Sequence, residues 1–413
     1  MKIAFFTGPF PNLSETFILN QITGLLDRGH NVDIYSNKVG IQDVTHHDVQ
    51  KYRLLDHTHY YANPSQAMPV DPAIRLIKGF QYVIHNFSHK LWPLIKSLNF
   101  FKFGREATSL GLFYKTIPFL HEDHSYDVIQ CHFGPNGNLA TKLRDVGVIK
   151  GKIVTTFHGY DITKYINTAG NSSYRILFRK GDLFLPISKR WQKELVRLGC
   201  PPKKIIVHKM GIDMKKFKYS PRVPDPKKQY HLLTVARLAE KKGVAYAIRS
   251  LEKVRKKFPG ITYTIAGDGP LREELKRLID RLNLTENVHL TGWINQDKVL
   301  NLMENADLLL APSITDSNGN KEGIPVVLME ALAQGLPVIS TWHSGIPELV
   351  IDNKSGYLVP EKDVDALSER IEYYLSHPQL WPVLGKNGHD FVYQNHNIDS
   401  LNNRLEGLFE TIL

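Results

Sequence analysis

Residues 230–282 read YHLLTVARLAEKKGVAYAIRSLEKVRKKFPGITYTIAGDGPLREELKRLIDRL. The stretch opens on a short apolar run, Tyr230–Val235, of strand length. A basic loop, Arg237-Leu-Ala-Glu-Lys-Lys242-Gly243, follows, and then a longer amphipathic stretch. A second β-branched run, Thr262–Ala266, ends in the turn Gly267-Asp-Gly-Pro270. Beyond it Leu271, Leu275, Leu278, Ile279 and Leu282 recur at helical spacing. Strand and helix in alternation make a parallel sheet covered by helices.

The alternation extends in both directions. Downstream, strands are expected at Val288–Thr291, Asp307–Ala311, Pro337–Ser340 and Gly356–Leu358. Upstream they are expected at Lys2–Thr7, Asn31–Ser36, Val128–Cys131, Lys152–Phe157, Leu183–Pro186 and Ile205–His208. The pattern runs twice, and 413 residues exceed what one core usually serves. The expected fold is α/β, with two doubly wound domains. The proline-bearing stretch 216–229 lacks helical periodicity and reads as the linker between residues 1–215 and 230–390. The helical segment 391–413 lies past the last strand, placed to cross back onto the first domain.

Composition excludes several classes. Hydrophobic residues are 42% and charged residues 23%, the balance of a soluble globular chain. Cys131 and Cys200 form no CxxC pair, so neither a disulfide framework nor a zinc site is indicated, and a reducing cytoplasmic setting is expected. The apolar run at the start breaks at Gly8-Pro9 and reads as a buried strand, not a signal peptide. No run of about 18 apolar residues is present. The net charge of +11 favours anionic partners, namely phosphates, nucleic acid or acidic headgroups.

The chemistry gathers at strand ends, where α/β folds place ligands. Glu322-Gly-Ile-Pro-Val-Val-Leu-Met-Glu330 sets two carboxylates seven residues apart around Pro325, which is placed to open a helix. Unpaired first-turn amides suit hydroxyls or phosphate. A carboxylate accepts two hydroxyls at once and so grips a vicinal diol. The plain alternative is an acidic cap and a solvated glutamate. Arg237 can fork onto phosphate oxygens and Lys242 can add a point charge, or the pair is a basic loop in a basic protein. Gly267 and Gly269 allow close backbone approach or simply a tight turn, and Arg272 stands where a dinucleotide fingerprint needs its third glycine. In the first half, Gly8 follows the first strand, and Ser14 suits an N-cap. His158-Gly-Tyr-Asp161 follows the strand Lys152–Phe157, so His158 either points into a cleft or is structural. The stretch Arg75–Leu120 mixes basic residues, Lys90, Lys96 and Lys102 among them, with Trp92 and a helically spaced apolar series. It suits either a membrane interface or packing on the first sheet.

These motifs together resemble the retaining glycosyltransferases of family four, with the GT-B fold, two Rossmann-like domains facing across a cleft. Glu322 to Glu330 matches the E-x7-E motif, and Arg237 with Lys242-Gly243 matches the diphosphate-binding pair. SETFILNQI at 14–22, FHGYD at 157–161, LPIS at 185–188 and HKMGID at 208–213 resemble the branch that builds bacterial exopolysaccharides such as colanic acid. The resemblance implies that Glu330 holds the donor ribose. It implies that Glu322, with the loop Gly323, Ile324, Pro325 and Val326, holds the hexose, and that Arg237 and Lys242 bind the departing diphosphate. It places His158 at the reacting centre, Gly8 near the phosphates, and Gly267 and Gly269 at the substrate. The polar insertion Asp316–Lys321 departs from the pattern, which puts the sugar's identity in doubt.

The expected reaction is hexosyl transfer from a UDP-hexose, such as UDP-glucose or UDP-galactose, to a saccharide acceptor, which a lipid can carry. Fixed cations take the place of a metal, and no cofactor is expected. GDP-mannose and UDP-N-acetylglucosamine are the alternative donors. A non-catalytic binder of nucleic acid or anionic surfaces is the rival from another class. Nucleic acid is not an expected partner on the enzyme reading. Contact with the inner face of an anionic plasma membrane is.

Overall fold

A computed structural model describes residues 1–12, 15–40, 46–61, 68–85, 91–120, 122–223 and 229–413; Ser14 and Lys90 lie outside them. The first sheet contains β1 (Lys2–Thr7), β2 (Asn31–Ser36), β3 (Thr58–Tyr60), β4 (His124–His132), β5 (Ile149–Phe157) and β6 (Leu183–Pro186), in the order β3-β2-β1-β4-β5-β6. The second contains β7 (His231–Val235), β8 (Thr262–Ala266), β9 (Val288–Gly292), β10 (Leu308–Ala311), β11 (Val338–Thr341) and β12 (Tyr357–Val359), in the order β12-β11-β10-β7-β8-β9. Every neighbouring pair is parallel. The second sheet thus repeats the first strand for strand. Each reverses its strand order once, between β1 and β4 and between β7 and β10, and a crevice opens there at the carboxyl ends.

Burial on both faces explains the unbroken apolar runs. Ile3, Ala4, Phe5 and Phe6 of β1 and Leu308, Leu309 and Leu310 of β10 are all fully buried. Two elements differ from the sequence reading. The three-residue edge strand β3 was not expected, because it lies in a polar stretch. The run Ile205–His208 makes only an isolated bridge to Phe184. Ile206 and His208 donate to Phe184 and Pro186 of β6 at 3.0 Å each, but no ladder extends from them.

The chain leaves the second sheet through the helix Trp381–His396 and turns at Asn397 into the helix Ile398–Glu410. That last helix lies on Thr16–Leu26 of the first half. Asn402 donates to the Asn20 carbonyl at 3.1 Å, Arg28 to the Asp399 carbonyl at 2.8 Å, and His30 meets Glu406 at 2.8 Å. A Cβ on Gly24 would lie 1.9 Å from the Asn402 amide, so the two helices touch through that glycine.

Between β3 and β4 runs a helical excursion that includes Pro72–His85, Leu91–Ser97 and Phe100–Phe103. Gly79 rests against Phe113, and Tyr114 donates to the Arg75 carbonyl at 2.7 Å, so one side packs on the domain. The other side does not: Ile77, Phe80 and Ile84 are 59%, 68% and 55% exposed. Packing on the first sheet therefore accounts for only one face of this stretch. Among the described residues no helix is long and apolar enough to cross a membrane.

Candidate active site

Four loops at the carboxyl ends of the second sheet converge on Glu322. It follows β10 and is buried, with one carboxylate oxygen 2.9 Å from Lys241 Nζ and 3.1 Å from Lys242 Nζ. Burial pushes its pKa up, but Lys242 and Lys241 outweigh that and hold it at about 2. Its amide donates to Nε2 of His343, just past β11, at 3.0 Å. The other ring nitrogen of His343 lies 2.7 Å from Glu361, past β12. His343 must then carry its proton on Nδ1, and burial, the largest influence, keeps its pKa below the usual histidine value. Glu361 also accepts from the Thr315 amide at 2.7 Å. Loops after β10, β11 and β12 are thereby tied into one frame. Lys241, His343 and Glu361 were not singled out from sequence; their parts depend on contacts across 18 to 81 residues of chain, as the residue numbers show.

The frame leaves donors free. The helix that carries Glu330 runs Val326–Ala333, with Pro325 at its N-cap position. The amides of Gly323, Ile324 and Val326 have no acceptor among the described residues. Arg237 is exposed and has no charged partner among the described residues. Glu330 is partly buried and lines an open pocket of about 320 Å³ together with Thr16 and Asn20 of the first half and Asp213 and Lys216. Burial pushes its pKa up to about 7.

Gly267 and Gly269 serve a neighbouring loop. Their φ angles are +139° and +159°, and a Cβ on either would lie 2.0 Å from the Ala236 carbonyl or 2.5 Å from that of Leu238. Leu238 donates to the Asp268 carbonyl at 2.9 Å. Close approach is real, but it is between the turn 267–270 and the loop that carries Arg237. Gly8, by contrast, has nothing within 4 Å of where its Cβ would be, at the open end of β1.

The first sheet presents His158 at the end of β5. Its Nε2 lies 3.0 Å from Nδ1 of His132, which ends β4, and its ring sits between those of Phe17 and Phe133, at 4.7 and 4.6 Å. Both histidines are buried, and burial lowers both pKa values, that of His132 to about 3. Two neutral rings share one proton in that bond, and Nδ1 of His158 is left without a partner. Asp161, fully buried, accepts from the amides of Gly134, His158 and Gly159 at 2.9, 3.0 and 2.9 Å, and so clamps the ends of β4 and β5 together. Neither His132 nor Asp161 was assigned a part from sequence. Nor was Glu15, which lines a pocket of about 270 Å³ with Phe10, Asn12 and Ile18, and whose carboxyl burial raises to about 7.

The two sheets meet backbone to backbone. A Cβ on Gly323 would lie 2.2 Å from the carbonyl oxygen of His158, and one on Gly159 would lie 3.2 Å from the Gly323 amide. The loops that carry His158 and Glu322 therefore touch across the crevice, and Lys242 stands beside Glu322 on the second-sheet side. Glu348 of the second half caps the helix Lys189–Arg197 of the first, accepting from Lys189 and Arg190 amides at 2.9 Å each. The insertion Asp316–Lys321 folds as a tight turn on the Asp316 carboxylate, which accepts from Asn318 and Asn320 at 2.9 Å each. Ser317 is tied to Glu240, and a Cβ on Gly319 would come within 2.9 Å of Asn167. The insertion thus bridges the loop of Arg237 to the opposite domain.

Known proteins share this family and fold. The family model "Glycosyltransferase Family 4" matches residues 14–216, and "Glycosyl transferases group 1" matches 215–406. The chain is 39% identical over 415 residues to the putative colanic acid biosynthesis glycosyltransferase WcaL of Salmonella typhimurium, covering 100% of both chains. It is 39% identical to the amylovoran biosynthesis glycosyltransferase AmsK of Erwinia amylovora, covering 89% of each. Among solved structures, Anabaena Alr3699/HepE in complex with UDP and glucose superposes with a TM-score of 0.71 at 18% identity, covering 100% of both. The two matched halves meet at the boundary between the two sheets, and the likeness to the two enterobacterial relatives extends over most or all of the chain: it belongs to glycosyltransferase family four and has the GT-B fold.

Proposed function

We propose that the chain transfers a hexose from a UDP-hexose, such as UDP-glucose or UDP-galactose, to a saccharide acceptor during exopolysaccharide synthesis, with the anomeric configuration retained and without a metal. The observation that carries this reading is the cluster in which Lys241 and Lys242 hold Glu322 ionised beside the free amides of Gly323, Ile324 and Val326. Arg237 and Lys242 neutralise the diphosphate as it leaves, the part a divalent cation plays elsewhere. Glu322 and the free amides grip the hexose hydroxyls, and Glu330 takes the ribose diol. His158 meets the sugar from the opposite wall. A carboxylate tied to two lysines is a poor nucleophile. The reading is therefore a same-face displacement, in which a phosphate oxygen accepts the proton of the incoming hydroxyl. The biosynthetic setting follows the WcaL and AmsK relatives, and UDP follows the ligand named for the Anabaena protein. Glu15, in its pocket beside that of Glu330, is placed for an acceptor hydroxyl. The acceptor we take to be lipid-linked, which would hold the enzyme at a membrane surface.

A panel of nucleotide sugars, with hydrolysis measured with and without EDTA, tests the proposal. Cleavage of a UDP-hexose, undiminished by EDTA, is expected. Turnover of GDP-mannose or UDP-N-acetylglucosamine alone would replace the donor. Loss of activity in EDTA with rescue by Mg²⁺ or Mn²⁺ would overturn the metal-free site. No cleavage, with steeply salt-dependent binding to DNA, would favour the rival binder.

A further inference from the structure

Twelve of the 23 large apolar side chains exposed among the described residues lie within 68–101. Exposed apolar side chains are therefore concentrated in one excursion of the chain, beyond the scattered exposure that needs no explanation. On Pro72–His85 the face bearing Gly79 packs on Phe113, while Ile77, Phe80 and Ile84, at helical spacing, point away from the domain. In the helices that follow in the same excursion, Trp92 is 63% exposed, and Phe100 and Phe101 are 56% and 98% exposed. Phe101 stands almost clear of the protein. Knobs of this kind match a medium that deforms around them.

Of the cations along the excursion, Lys78 and Lys96 are exposed, and others are partly spent. Lys102 pairs with Asp145 at 3.3 Å. Arg75 donates to the carbonyls of Pro69, Val70 and Ser109 at 2.9, 3.0 and 2.8 Å. Lys96 lies 5.7 Å over the ring of Trp92, where an ammonium at a headgroup beside a buried indole would sit.

We propose that this patch is a membrane-insertion surface: Ile77, Phe80, Ile84, Trp92, Phe100 and Phe101 enter the interfacial layer of an anionic bilayer, and apolar burial contributes more to binding than charge does. The occupant is a lipid surface because the excursion combines protruding aromatic and aliphatic side chains with exposed lysines, Lys78 and Lys96. It rests on the reading of a lipid-linked acceptor but fails separately from it.

The test is flotation of the full chain with vesicles of phosphatidylcholine containing phosphatidylglycerol, at low and at high salt, with F80S/F101S alongside. Wild type should float, and raising salt should leave most of the binding, since Debye screening does not reach apolar burial. The double variant should bind at least about tenfold more weakly. Both changes are on exposed side chains, so its melting temperature and its hydrolysis of nucleotide sugar without acceptor should match wild type. No flotation of wild type, equal binding by the variant, or complete release by salt would overturn the proposal. So would a wild-type dimer in light scattering that F80S/F101S converts to monomer, which would assign the patch to a second copy. Vesicle binding without any nucleotide-sugar cleavage would keep the insertion surface and remove the enzymatic reading alone.

Discussion

Replacing Gly323 with Ala probes the contact on which the crevice depends. The added Cβ would lie 2.2 Å from the His158 carbonyl oxygen and 2.8 Å from Cδ1 of Ile187. Carbon and carbonyl oxygen ordinarily stand about 3.3 Å apart at closest, so the two loops must part by about 1 Å. Gly323 is not among the residues with positive φ, so alanine fits its backbone and the cost is steric alone. Overpacking of this kind costs about 1–3 kcal/mol if the domains stay closed, and opening by a small hinge relieves it. A displacement of about 1 Å between His158 and the donor-binding loop should then lower kcat by about a hundredfold. UDP should bind G323A within about threefold of wild type, because Arg237, Lys242 and Glu330, which we propose hold the diphosphate and ribose, lie on the second domain. Steady-state turnover, UDP calorimetry and a thermal melt separate the outcomes. A kcat within about threefold of wild type would refute the reasoning. Equal loss of UDP binding and of melting temperature would show that Gly323 serves the folding of its own domain.

Arg237→Ala should cost about 2–4 kcal/mol in transition-state stabilisation, read from kcat/KM. Its melting temperature should be unchanged, because Arg237 is exposed and has no described partner to lose. Glu330 should make donor binding pH-dependent: its carboxyl titrates at about 7, above the ordinary 4.5, so UDP affinity should rise as pH climbs through that value, and Glu330→Gln should flatten the slope. The same raised pKa means that Glu330 itself should subtract stability as pH rises from 4.5 to about 7, where the unfolded chain has already released the proton, while buried His132 and His158, with lowered pKa values, add it. A difference in melting temperature between wild type and Glu330→Gln that stays flat over that range would contradict the assignment. His132 acts as a positioning residue through His158. His132→Leu should lower kcat more than it raises KM, and His132→Asn, which keeps a donor near the same place, should restore part of it; equal loss in both variants would leave His132 a packing residue only.

Most of the fold was legible because both sheets are buried on two faces. Such strands show as unbroken apolar runs, and β1, β2, β6 and β8 were readable to the residue. An edge strand has no such signal, which is why Thr58–Tyr60 escaped. Ile205–His208 carried the signal but makes only two backbone bonds to β6. At the site, Glu322 and Lys242 stand in short motifs and were singled out from sequence, and the structure pairs them. Residues that hold those in place were not. His343 and Glu361 reach Glu322 only because β10, β11 and β12 lie side by side, and His132 reaches His158 only because β4 pairs with β5. Gly267 and Gly269 show a further limit: a glycine signals close approach but does not say to what, and here the structure shows the loop that carries Arg237.

Transfer on one face of the sugar, within the crevice between Glu322 and His158, is the step on which the proposed function turns. Proton NMR of the first-formed product from an α-linked UDP-hexose, recorded in EDTA before mutarotation proceeds, tests it directly. Same-face displacement predicts the α-anomer. A β-anomer would mean that water or acceptor attacks from the opposite face, and would contradict it.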